Sequence, residues 1–136
     1  MKTVPLQVDQ ISRLLEQLGQ ALSTSDLHKA AACWTAPALI LSDDGATAVS
    51  DTSEIEAFFE QAAEWYHLQG IASTRPEIER VDLLSETLAA VDVRWPSFDA
   101  AGQEKASERS HYLVQLAEDG QTYIRVALAR TRKEPR

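Results

Sequence analysis

The spacing of the apolar residues changes once along this chain, and that change decides the fold class. Before residue 70 they recur at every third and fourth position, and from residue 77 onward at every second. The first spacing lines one face of a helix and the second lines one face of a strand. Helices first and an unbroken run of strands last define an α+β domain.

In residues 6–24 the positions Ile11, Leu14, Leu15, Leu18 and Leu22 mark the buried face of a first helix. Gly19 weakens that helix without ending it. Ser25 or Asp26 caps a second, short helix carrying Leu27, Ala30, Ala31 and Trp34, and Pro37 forbids it from continuing. Residues 38–42 read as a short buried strand, Asp43, Asp44 and Gly45 as a turn, and 46–50 as the returning strand. Asp51 and Glu54 have capping-box spacing. They open a third helix with Ile55, Phe58, Phe59, Ala62, Ala63 and Tyr66 on one side, and Gly70 is placed to end it.

Four strands follow, at about 77–84, 87–97, 105–117 and 121–130. Their short connections make neighbours antiparallel. Val91, Val93 and Trp95 share one face, as do Tyr112, Val114 and Leu116, and Ile124, Val126 and Leu128. The run at 77–84 alternates poorly, which predicts a bulge. The order is α-α-β-β-α-β-β-β-β. It gives three helices packed on a strongly curved antiparallel sheet that closes into a cone with an internal pocket.

Length and charge narrow the functions open to such a cone. The 136 residues, 44% of them hydrophobic, suit a single domain over 1–136, with its core at about 7–130 and a basic tail at 131–136. Against 13 basic residues stand 21 acidic ones, a net charge of −8. That balance argues against nucleic acid and anionic membrane surfaces as partners. The basic tail reads as a solvated terminus. The single cysteine, Cys33, permits no intrachain disulfide. The N-terminal stretch has no apolar run of the secretory type, and no run approaches membrane-spanning length. A cytoplasmic location is the expectation.

With this ordering the sequence resembles the nuclear transport factor 2-like superfamily, in its SnoaL-like branch. The resemblance covers roughly residues 7–130. It is carried by the helix pair Leu14–Trp34, by residues 38–41 with the Asp51 cap and the Phe58–Phe59 helix, by Val91–Trp95, and by the closing hairpin around Asp119 and Gly120. It implies a cone with a pocket, often dimerising through the outer sheet face. The implied activities run from isomerases, dehydratases and polyketide cyclases to non-catalytic binding modules. The steroid-isomerase branch would carry a pocket tyrosine in the first helix, an aspartate base near the end of the first strand and an acid on the penultimate strand. The matching positions here are Leu18, Ser42 or Asp43, and Tyr112. Leu18 cannot donate a proton and Ser42 is no adequate base, so that chemistry is not expected in its familiar form.

Glu108, Ser110 and Tyr112 alternate along one strand and therefore share its inner face. A carboxylate beside apolar walls, with Trp95 on the next strand, would have a raised pKa and could act as acid or base. The plainer alternative puts Glu108 on a solvated rim and Tyr112 in the core. Glu108 and Tyr112 are the catalytic candidates, with Asp43 a remote third. Trp34, Trp65, Tyr66 and Trp95 are candidates for the wall against a small hydrophobic or aromatic ligand, or for plain packing. His28, His67, His111 and Cys33 lack metal-site spacing, so neither metal nor cofactor is expected.

The outer face of the late strands gathers Asp92, Arg94, Arg109, His111 and Arg125. A two-fold, sheet-to-sheet homodimer with Asp92 and Arg94 pairing across the axis explains that grouping. Ordinary exposure and an acidic ligand are the alternatives. The leading expectation is thus a small-molecule-binding cone, acting as a cofactor-free cyclase, isomerase or dehydratase. The rival is a non-catalytic dimerisation or interaction module with a filled pocket.

Overall fold

A computed structural model describes residues 5–130. The basic tail 131–136 and the first four residues of the N-terminal stretch lie outside the described residues. The elements are α1 (Val8–Ser23), α2 (Leu27–Ala32), β1 (Trp34–Ser42), β2 (Gly45–Val49), α3 (Thr52–Leu68), β3 (Ser73–Thr74), β4 (Glu77–Leu83), β5 (Leu88–Phe98), β6 (Glu104–Leu116) and β7 (Thr122–Arg130). Strands β2-β1-β7-β6-β5-β3 form one curved sheet in that order, and β4 also pairs with β5.

The helix boundaries follow from local chemistry. Asp26 caps α2 by accepting from the backbone N–H of Lys29. Asp51 caps α3 by accepting from the N–H groups of Ser53 and Glu54, and Glu54 accepts from the N–H of Asp51 in return. This reciprocal box satisfies amides that the first turn leaves without helical partners. α1 buries Ile11, Leu14, Leu15 and Leu18 in the same core as Val91, Val93, Val114 and Ile124. Among the described residues no helix is long and apolar enough to cross a membrane.

Gly19 does more than weaken α1. A Cβ there would stand 3.0 Å from Pro76 Cδ and 3.2 Å from Trp95 Cζ3. The bare backbone is a notch into which Trp95 fits.

Three details depart from the sequence expectation. First, the sheet is mixed, because β1 runs parallel to β7 while the other pairs are antiparallel. No short connection joins β1 to β7, so nothing forces them to oppose. Second, Trp34 belongs to β1 rather than α2. The strand tolerates Pro37 because the ladder to β7 is interrupted between Trp34 and Leu39, where no N–H is demanded. Third, the expected bulge in β4 is present between Ile78 and Arg80, but β7 contains another. Its ladder with β6 pairs Ile124 with Val114 and Val126 with Leu113, leaving Arg125 unmatched. The extra residue reverses the alternation that follows. Ala127 therefore turns inward opposite Tyr112, and Val126 and Leu128, expected inside, lie on the outer face.

Candidate functional site

α1, α3 and the inner faces of β1, β5, β6 and β7 enclose a cavity of about 400 Å³. Its apolar walls come from Leu18 and Leu22 on α1, Ile40 on β1, Phe58, Phe59 and Ala62 on α3, and Ala127 on β7. Its polar groups come mainly from Glu108, Ser110 and Tyr112 on β6, with Tyr66 on α3. Trp34, Trp65 and Trp95 complete the apolar wall, and Gln61 of α3 and Arg109 of β6 also border the cavity.

β6 runs from the mouth inward. Glu108 is exposed at the mouth, Ser110 is half-buried, Tyr112 is buried and Val114 is fully enclosed. At the closed end Val114 pairs with Ile124, and Ile124 with Trp34. α3 lies along the same axis. Phe59 meets Trp34 edge-on, with ring centroids 6.2 Å apart. Tyr66, seven residues further, reaches the region of Glu108, Thr74 and Ser97. Two turns of helix thus separate a deep indole from a polar mouth.

The polar groups are tuned mainly by loss of water. Apolar surroundings push the Glu108 carboxyl above the usual glutamate range. Burial pushes the Tyr66 phenol up to about 12; the nearby Glu108 charge adds to this, while the Thr74 and Ser97 hydroxyls work against it. Burial likewise lifts Tyr112 to about 12 against the hydrogen bonds of Ser110 and Trp95. Both phenols are therefore neutral near pH 7 and keep a proton to donate. Trp95 Nε1–H donates to Tyr112 Oη at 2.9 Å. Trp34 is only 5% exposed, and its Nε1–H is buried without a hydrogen-bond partner among the described residues.

The structure brings together Glu108, Tyr112, Trp34, Trp65, Tyr66, Trp95 and Ser110 around one cavity. Asp43 does not join them. It stands exposed in the β1–β2 turn, outside the cavity wall, because β1 ends at Ser42 and the chain reverses there. Leu18 lines the cavity where the steroid-isomerase pattern would carry a tyrosine, and Tyr66 brings a phenol from α3 instead. Thr74, buried beside that phenol, gave no signal in the sequence, since the two-residue strand β3 is too short to show a period, whereas the buried Ser97 continues the inward row Val91, Val93 and Trp95 on β5. Cys33 is buried and its thiol is pushed up to about 11 by desolvation, the opposite of an activated nucleophile.

On the outer face Asp92, Arg94, Arg109 and His111 are engaged within the chain, and Arg125 is the looped-out residue of the β7 bulge. Arg94 pairs with Glu77 and Glu104, Arg109 holds both carboxylate oxygens of Glu79 at 3.0 and 3.2 Å, and His111 pairs with Asp92. The ladder sets this pattern by placing Glu77 opposite Arg94 and Asp92 opposite His111. Asp92 and Arg94 thus already have partners that the sequence reading gave to a second subunit. Beside these pairs, the β7 bulge brings Val126 and Leu128 level with Leu39 and Leu41 of β1 and Leu113 of β6. All five are half-buried.

This α+β arrangement matches solved cystatin-like folds. One is a domain of unknown function from Nostoc punctiforme PCC 73102, with a TM-score of 0.75 and 20% identity over 93% of this chain and 78% of that one. Another is an NTF-2 like protein of unknown function from Shewanella oneidensis MR-1, with a TM-score of 0.73 and 17% identity over 93% of this chain and 100% of that one. A ketosteroid isomerase-like protein from Erwinia carotovora atroseptica SCRI1043 matches at 0.70 and 14%, covering 93% of this chain and 96% of that one. No curated protein matches the sequence. The model of the family described as NTF2-like protein (DUF6841) matches residues 9–132, and the chain belongs to that family.

Proposed function

We propose that this protein binds a small, largely apolar carbonyl compound in the cone and moves a proton on it, as a cytoplasmic member of the SnoaL-like branch. The observation that carries the reading is the convergence of Glu108, with its carboxyl raised by burial, and two neutral phenols on one apolar cavity. A carboxylate of raised pKa is a better base than a solvated one, and it takes the proton α to the carbonyl. The negative charge that develops on the carbonyl oxygen is met by O–H donation from Tyr112 or Tyr66. Glu108 then returns the proton to the same or a neighbouring carbon, so the side chains alone close the cycle.

Exchange of the C1 protons of 2-tetralone in deuterium oxide, followed by proton NMR, tests this. Exchange faster than in buffer, lost in Glu108→Gln, is the expected result. Exchange that is equal in both proteins, or equal to buffer, overturns it.

A second reading, self-association, is favoured by the half-buried outer patch of Leu39, Leu41, Leu113, Val126 and Leu128. It is compatible with the first, because the two occupy opposite faces of the sheet. The charged pairs around Asp92, Arg94, Arg109 and His111 would then rim the interface rather than hold it together.

A further inference from the structure

Among the described residues that line the cavity, Glu108 is the only carboxylate, and no basic side chain pairs with it. Arg109 borders the same cavity, but its Nε and Nη2 are given to Glu79. Glu108 is exposed at the mouth, so a guest entering the cone meets it directly. Aromatic side chains surround it. Trp95 is its ladder partner on β5, and Tyr66 comes close enough from α3 to feel its charge. Trp65, itself 42% exposed, belongs to the same wall.

A lone carboxylate among indoles and phenols is a defined chemical environment. The carboxylate attracts a cation, and aromatic rings bind cations over their faces. A neutral guest gains neither attraction, and an anionic one is repelled. The net charge of −8 draws cations toward the protein as a whole. We infer that the cone recognises apolar ammonium ions, with the ring body of the ligand in the cavity and its N–H group donating to Glu108. The inference rests on the cavity described above and not on the proton transfer proposed for it. It adds a ligand class to the same site. While such an ion is bound, Glu108 is held as a counter-ion and takes no proton from carbon.

Two tetralins of closely similar shape test the inference. At neutral pH 2-aminotetralin is an ammonium ion and 2-tetralol is uncharged. Titration calorimetry of the wild-type chain at pH 7.5 should show the amine binding about tenfold tighter, the scale of one hydrogen bond to a charged group. Glu108→Gln keeps the shape and removes the charge, and it should bind the amine no tighter than the alcohol. Equal wild-type affinities, or a preference that survives in Glu108→Gln, overturn ammonium recognition while leaving the cavity reading intact. A preference for the amine in a protein that fails the 2-tetralone exchange test removes the proton transfer and leaves ammonium recognition standing. If neither compound binds at millimolar concentration, the cavity reading falls and this inference with it. Should Glu108→Gln fail to fold, the pH dependence of the wild type decides the matter. Tyr66, Tyr112 and Arg109, the other titratable groups of the wall, keep their protons below pH 8. Glu108 alone changes charge there, and its carboxyl is held above the usual range. The advantage of the amine over the alcohol should therefore shrink as pH falls from 7.5 to 5. An advantage that stays constant or grows overturns the inference.

Discussion

The indole of Trp95 donates to the phenol oxygen of Tyr112 at 2.9 Å, although the ladder sets Trp95 opposite Glu108 and Tyr112 opposite Val91. The two side chains therefore lean toward each other along the strands and together span the rows from the mouth carboxylate to Tyr112. By occupying a lone pair of the phenol oxygen the indole N–H orients the hydroxyl and leaves the proton free to donate. Trp95→Phe removes that donor and shortens the wall. Urea denaturation should show a loss of about 1–3 kcal/mol, from the missing hydrogen bond and the smaller ring. Unchanged stability would mean that the bond does not shape the core.

The carboxyl of Glu108 lies above its ordinary range in the folded state, so the folded chain holds a proton there more tightly than the unfolded one. Stability from this group is fully present below the ordinary glutamate pKa of about 4.3 and is lost as pH rises through the raised folded value. Glu108→Gln does not titrate. Its melting temperature relative to wild type should therefore rise between pH 4 and pH 7. A relative fall over that interval would show a carboxylate stabilised by its surroundings instead.

Gly19 gives Trp95 its seat, with Trp95 Cζ3 and Pro76 Cδ both in the space a Cβ would need. Gly19→Val puts a branched side chain there, and overpacking should cost about 1–3 kcal/mol in spite of the better helix former. Near-ultraviolet circular dichroism should report the displaced indole. A stabilised variant with an unaltered aromatic spectrum is the contrary result.

The apolar outer patch makes a prediction about assembly. Light scattering at micromolar concentration should give the mass of a dimer. Val126→Glu together with Leu128→Glu should give that of a monomer, because a charge buried in a sheet-to-sheet interface has no partner. Arg109→Ala should leave the dimer intact, since Arg109 already holds Glu79. A monomeric wild type rejects the assembly outright.

Cap residues and strand period made most of this fold readable. Asp26, Asp51 and Glu54 announce their helices by side-chain chemistry that needs no tertiary contact. The inward row Glu108, Ser110, Tyr112 followed from alternation on a strand that is regular over that stretch. The limits were non-local. Nothing near Trp34 says that a strand begins before Pro37, because the ladder partner is Ile124. Nothing near Arg125 says that it is the extra residue, because a bulge is defined only against the neighbouring strand. Tyr66 looked like one more apolar position on α3, and its polar company of Thr74 and Ser97 comes from distant parts of the chain.

That unmatched arginine has an effect on capacity. In unbroken register Tyr112 would face Val126; with one residue looped out it faces Ala127. A bulky side chain is exchanged for a methyl group at the middle of the cone, with no substitution at either position. Length variation at a single point in β7 therefore acts as a coarse adjustment of how large a guest the interior admits. The same slip moves valine and leucine to the exterior, so admitting a larger guest and presenting a stickier back are coupled in one backbone event.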